Sequence, residues 1–109
     1  MIYKNFGGEK LSSLGLGCMR FPVIDGDISK IDITKTREIV DYAIKNGVNY
    51  FDTAWGYHNG FSESVMGEIL SGYPRDSFYL ASKFPGYDAS CFENPAAIFE
   101  KQLEKQLKR

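Results

Sequence analysis

The chain is poor in the residues that announce most specialised chemistries, with one histidine, two cysteines and one tryptophan among 109 residues. Cys18 and Cys91 lie far apart, and neither has a second cysteine or histidine at ligand spacing, so neither a disulfide framework nor a metal site is expected. Both thiols are read as reduced. No apolar run reaches the roughly 18 residues that a membrane-spanning helix needs. The N-terminus, MIYKNFGGEK, lacks the charged-then-apolar layout of a secretory signal. Charge of one sign is missing too: 13 basic residues face 14 acidic ones, for a formal charge of −1. No field of that size attracts nucleic acid or an anionic membrane. The chain is therefore expected to be cytoplasmic, with neither of those partners.

What is present suffices for one core, since 43% of residues are hydrophobic and 15% aromatic. IYKNFGGEKLSS reads as a hairpin turning at Gly7 and Gly8, residues that accept positive φ. A third apolar piece follows at Leu14 to Cys18, and residues 25–32 are rich in turn formers. DITKTREIVDYAIKNG then places Ile39, Val40, Ala43 and Ile44 on one helical face, with Asp32 as cap and Asn46-Gly47 as stop. Val48 to Ala54 reads as a strand. SESVMGEILSG reads as a helix with Ser62 as N-cap, and FYLASK, residues 78–83, as another strand. A last helix opens at Asn94-Pro95 and is expected to bury Ile98, Phe99, Leu103 and Leu107.

The strands recur about every 30 to 34 residues with helices between them, the spacing of crossover units in parallel sheets. The predicted class is α/β. In such sheets the C-terminal strand ends face one way and ligands gather there. Those ends carry Cys18, Met19 and Arg20 after the first strand, Asp52 and Tyr57 after the second, and Ser82 and Lys83 after the third.

A carboxylate, a phenol and an amine converging in one place make an acid–base device. A tyrosine hydroxyl with a pKa of about 10 exchanges its proton near neutrality only when a neighbouring ammonium stabilises the phenolate. Lys83 can provide that field, and Asp52 can keep Lys83 charged. Each residue also has a plain reading, with Asp52 capping a turn, Tyr57 on a rim and Lys83 in solvent. The conjunction at successive strand ends favours the device. LGLGCM does not make a dinucleotide fingerprint, because Arg20 holds the third glycine position and no helix follows. His58, in a loop beside Tyr57, is a substrate-pocket candidate set against a surface or hydrogen-bonded role.

These residues resemble the aldo-keto reductases. SxLGLGCMR, FDTAxxY with its following SExxxGEIL helix, and LASK occur in the order and spacing of that family's opening βα units. The resemblance implies the first part of a (β/α)8 barrel: a hairpin at 1–13 and three βα units at 14–109, together one partial domain. It implies reduction of aldehydes or ketones by hydride transfer from NADPH or NADH. In that reading Tyr57 is the general acid, Lys83 lowers its pKa, and Asp52 pairs with Lys83. Gly17, Cys18, Met19, Arg20 and Asp52 lie near the nicotinamide, and His58 and Tyr57 line the substrate pocket.

YHNGFSE and YPRDSFYLASK further resemble the subgroup with a C-terminal ferredoxin-like iron–sulfur extension, whose cluster would belong to a region beyond these residues. The family's fourth-strand histidine and its adenosine-phosphate site have no counterpart here, and His58 does not match that histidine by position. The 109 residues alone are thus expected to be inactive. Two other readings are a noncatalytic α/β module that self-associates through open sheet edges, and a different barrel enzyme that uses Asp52 and Lys83 for Schiff-base chemistry.

Overall fold

A computed structural model describes residues 1–87 and 94–109. Cys91 and the loop before the last helix lie outside the described residues. Strands β1 (Tyr3–Phe6) and β2 (Glu9–Ser12) form an antiparallel hairpin. Its turn is Gly7-Gly8, with φ of 58° and 94°, a sequence of two left-handed residues that glycine adopts without strain. A second sheet contains β3 (Leu16–Gly17), β4 (Tyr50–Asp52) and β5 (Tyr79–Ala81), all parallel, in that spatial order. The helices are α1 (Ile33–Lys45), α2 (Ser62–Leu70) and α3 (Pro95–Leu107).

Local signals explain the ends of α1. Asp32 Oδ1 accepts from the Lys35 N–H at 3.0 Å, satisfying one of the donors left open at a helix start. Gly47, at φ 88°, provides the left-handed exit. The three strands are shorter than predicted, since β4 and β5 hold three residues each. Single bonds extend the pairing past them, from Cys18 N to Asp52 O and from Thr53 N to Ala81 O, both 2.8 Å.

One core lies between the sheet and helices α1 and α2. Phe51, Val40, Met66, Ile69 and Cys18 are fully buried in it, with Phe78, Val65 and Leu70 around them. Phe51 meets Phe78 edge to face at 6.2 Å, a favoured arrangement for aromatic quadrupoles. On the opposite face of β4, Tyr50 and Asp52 are half-buried, as period-two alternation requires.

Several expectations are corrected. Ile39 is exposed and Thr36 takes the buried place on α1. Ser62 lies inside α2, and its hydroxyl donates to Cys18 O at 2.9 Å and meets Thr53 Oγ1 at 2.9 Å. A buried partner outside the helix has claimed the oxygen that would have capped it. Phe99, Leu103 and Leu107 of α3 are exposed, and Gln102 is that helix's buried residue. Among the described residues nothing lies beyond β5 to cover that apolar stripe, so periodicity alone overstates its burial.

The fold is a plate of about 44 × 42 × 20 Å with a radius of gyration of 15.0 Å, against about 13 Å for a compact chain of this length. An open sheet accounts for the difference. The hairpin sits at the N-terminal end of the strands. Asn49 Oδ1 accepts from the Ser12 N–H at 2.7 Å, Asn49 Nδ2 donates to Lys10 O at 2.9 Å, and Tyr3 Oη donates to Gly47 O at 3.0 Å. The other end of the strands is left clear.

Candidate functional site

At that clear end, Asp52 closes β4 with Gly17 and Ala81 in register on either side. Partners in register point to one face, so the carboxylate stands between a hydrogen atom and a methyl group. A Cβ built on Gly17 would meet nothing within 4 Å, which leaves open space beside Asp52. Gly15 is a packing glycine instead, since its Cβ would come to 3.0 Å from the Tyr50 ring.

Lys83 follows Ala81 by two residues, and the same alternation returns its side chain to the face of Asp52. Its Nζ donates to Asp52 Oδ1 at 2.5 Å and to Thr53 O at 3.0 Å. It also lies 4.9 Å from the centre of the Tyr57 ring, within range of a cation–π attraction. Burial works against the Lys83 charge, but hydrogen bonds with the Asp52 carboxylate and the Tyr57 side chain outweigh it and hold the ammonium above its ordinary range. The structure thus brings Asp52, Lys83 and Tyr57 together. A cleft of about 400 Å³ beside them is lined by Trp55, Gly56, Tyr57, Lys83, Phe84 and Tyr87.

His58 is not a surface group. It is buried, with Nδ1 donating to Ile28 O at 2.8 Å and Nε2 accepting from the Phe21 N–H at 3.0 Å. The ring also stacks on Phe21 at 5.9 Å. Both nitrogens are engaged with backbone, and His58 is not among the residues lining the cleft beside Tyr57. His58 and Asn59 both hold φ near 53°, a left-handed conformation that costs about 1 kcal/mol or more per non-glycine residue. The two ring bonds and the Asn59 Nδ2 bond to Ser29 Oγ at 2.7 Å fix that kink directly after Tyr57.

Met19 and Arg20 are exposed near the end of β3. Cys18, the residue between Gly17 and Met19, is buried instead. Its side chain is fully buried, its N–H donates to Asp52 O, and its carbonyl accepts from Ser62.

Burial pushes the Cys18 thiol up to about 12 from an ordinary value of 9.0. In a Cys91→Ser chain, we expect an alkylating reagent at pH 8 to leave the folded protein unlabelled and to label it rapidly in denaturant; rapid labelling without denaturant contradicts the buried thiol. The native state holds this proton to higher pH than the unfolded one. The associated stability is therefore complete below pH 9.0 and is lost as pH rises through about 12.

The residues that sequence reasoning missed lie one layer below. Glu63 is buried and accepts hydrogen bonds from Ser82, Gln106 and Arg109. The Arg109 guanidinium stacks 3.5 Å from the Trp55 ring centre. The only sequence signal for Glu63 was its place in the first turn of α2. Among the described residues, no group of three or more His, Cys, Asp or Glu side chains could hold a metal ion. No described helix is long and apolar enough to cross a membrane.

The chain is similar to known proteins in sequence and in fold. The model of the aldo/keto reductase family matches residues 13–109. Norsolorinic acid reductase B of Aspergillus parasiticus is 38% identical over 77 residues, covering 69% of this chain and 20% of that protein. A thermostable aldo-keto reductase solved with the inhibitor epalrestat superimposes with a TM-score of 0.72 at 28% identity, over 99% of this chain and 38% of that one. An aldo-keto reductase of Bacillus halodurans in its holo form gives 0.62 at 26% identity, over 95% and 37%. The chain spans between 20% and 31% of the length of five curated relatives it matches.

Proposed function

Because this chain belongs to the aldo/keto reductase family, we propose that its strand ends form the acid–base half of a carbonyl reductase that uses NADPH or NADH. One observation carries the reading: a single ammonium, Lys83, sits between the Asp52 carboxylate and the Tyr57 ring at the clear end of a parallel sheet. A carbonyl oxygen entering the cleft accepts the Tyr57 proton. The departing proton leaves a phenolate, and Lys83 stabilises it at close range. Asp52 keeps Lys83 charged and in place. When bound, the nicotinamide supplies the hydride, and the open space at Gly17 with exposed Met19 and Arg20 fits its approach to Asp52.

A lysine that attacks a carbonyl must first lose its proton. Lys83 is held charged, which argues against Schiff-base chemistry. We read residues 1–13 as the hairpin and 14–109 as the first three βα units of a (β/α)8 barrel acting on small carbonyl compounds in the cytoplasm, and we assign no iron–sulfur role to these residues. Alone they lack the family's fourth-strand histidine, so the 109-residue polypeptide is expected to show no turnover. Among the described residues the outer edges of β3 and β5 have no paired strand, which favours self-association of that polypeptide. Size-exclusion chromatography giving a discrete oligomer supports this, and a monomer contradicts it.

The function is tested with a protein containing these residues and a complete barrel. Oxidation of NADPH over a panel of aldehydes and ketones is expected, with Tyr57→Phe lowering kcat by about 10²–10⁴. Unchanged turnover in that variant removes Tyr57 as the acid. Turnover by residues 1–109 alone, abolished by Tyr57→Phe, overturns the expected inactivity.

A further inference from the structure

Ser82 and Lys83 follow the last ladder residue of β5, and no strand pairs with them among the described residues. Something else must hold the backbone that carries Lys83. Glu63 and Gln106 provide that support. Ser82 Oγ donates to Glu63 Oε1 at 2.5 Å, and Gln106 Nε2 donates to the same oxygen at 2.6 Å. The Gln106 amide also lies 3.2 Å from Ser82 Oγ and 3.2 Å from Lys83 O. Arg109 Nη1 donates to Glu63 Oε2 at 3.1 Å and to Gly60 O at 3.0 Å. The carboxylate thus takes three donors from the end of β5 and the end of α3.

A favourable charge at a helix start needs only an exposed acid in the first turn. Glu63 is 6% exposed, and a buried carboxylate costs several kcal/mol unless its lone pairs are filled. Its placement therefore serves the elements it ties together, one of which ends in Lys83. We propose that Glu63 is a positioning residue: through Ser82 and Gln106 it fixes the strand end that carries Lys83, and so sets the ammonium against Asp52 and Tyr57. What that placement serves rests on the reductase reading, whereas the placement itself does not.

The test is a carbon-13 NMR titration of the Lys83 side chain in the 109-residue chain, the signal being identified by its loss in Lys83→Arg. Glu63→Gln and Ser82→Ala are both expected to lower the Lys83 midpoint by about half a unit or more, toward that of a free lysine. Ser82→Ala is the decisive variant, because it leaves every charge in place. It also carries the test if Glu63→Gln does not fold. Arg109→Met removes the ion pair but keeps the Ser82 and Gln106 bonds, and should move the midpoint by no more than about 0.2 unit. An unmoved midpoint in Ser82→Ala, or an equal shift in Arg109→Met, overturns the proposal. The readout needs no turnover, so a failed reductase assay and a failed positioning role are separate results.

Discussion

Lys83→Met in a protein with the complete barrel is expected to lower kcat by about 10³ while KM changes only a few-fold. The ammonium acts where charge develops, on the phenolate formed as Tyr57 gives up its proton, and not on the neutral ground state. Removing it therefore raises the barrier without weakening binding. The fold should tolerate the change. In the 109-residue chain Lys83 and Asp52 are 49% and 40% exposed, so there water can solvate the carboxylate that loses its partner, and exposed pairs of this kind contribute at most about 1 kcal/mol. A melting temperature within a few degrees of the parent, together with the loss of kcat, separates chemistry from stability. Turnover that survives Lys83→Met would remove the ammonium from the mechanism.

The largest stability effect is expected at Phe51. It is fully buried at the centre of the middle strand, edge to face with Phe78 and surrounded by Val40, Met66 and Ile69. Truncation to alanine removes the transfer energy of the ring and leaves a cavity that its neighbours on α1 and α2 and Phe78 cannot all close. Such changes cost about 3–5 kcal/mol, against a total of about 5–15 kcal/mol for a domain. With an m-value of about 2 kcal/mol per molar, the urea midpoint of Phe51→Ala should fall by about 2 M. A fall below about 0.5 M would mean that the core collapses around the loss. Met66→Leu, which keeps volume at a neighbouring buried site, should cost less than about 1.5 kcal/mol.

Local chemistry makes parts of this molecule legible in the sequence alone. The Asp32 cap, the Gly7-Gly8 turn and the Gly47 exit each depend on residues a few positions apart, so composition identifies them. Asp52 and Lys83 were legible through a longer chain of reasoning, in which parallel strands align their ends and alternation selects one face. The failures share a cause in partners distant along the chain. His58 looked like a loop residue because its partners, Phe21 and Ile28, lie 37 and 30 positions away along the chain. Ser62 looked like a cap because nothing local reveals that Cys18 O and Thr53 wait for its hydroxyl. Glu63 carries an ordinary helix-start signature whatever Ser82, Gln106 and Arg109 do. Phe99, Leu103 and Leu107 have helical periodicity, but periodicity identifies the face without identifying what covers it.

The hairpin at the far end of the strands has a practical consequence. Its Gly7-Gly8 tip would meet nothing within 4 Å of an added Cβ, and its anchoring bonds run to Gly47 and Asn49, away from Asp52 and Lys83. Exposed loop tips of this kind accept inserted sequence well. A peptide tag or a tether to a solid support spliced between Gly7 and Gly8 would hold the protein with its cleft facing the solution, giving an immobilised form oriented by the fold itself.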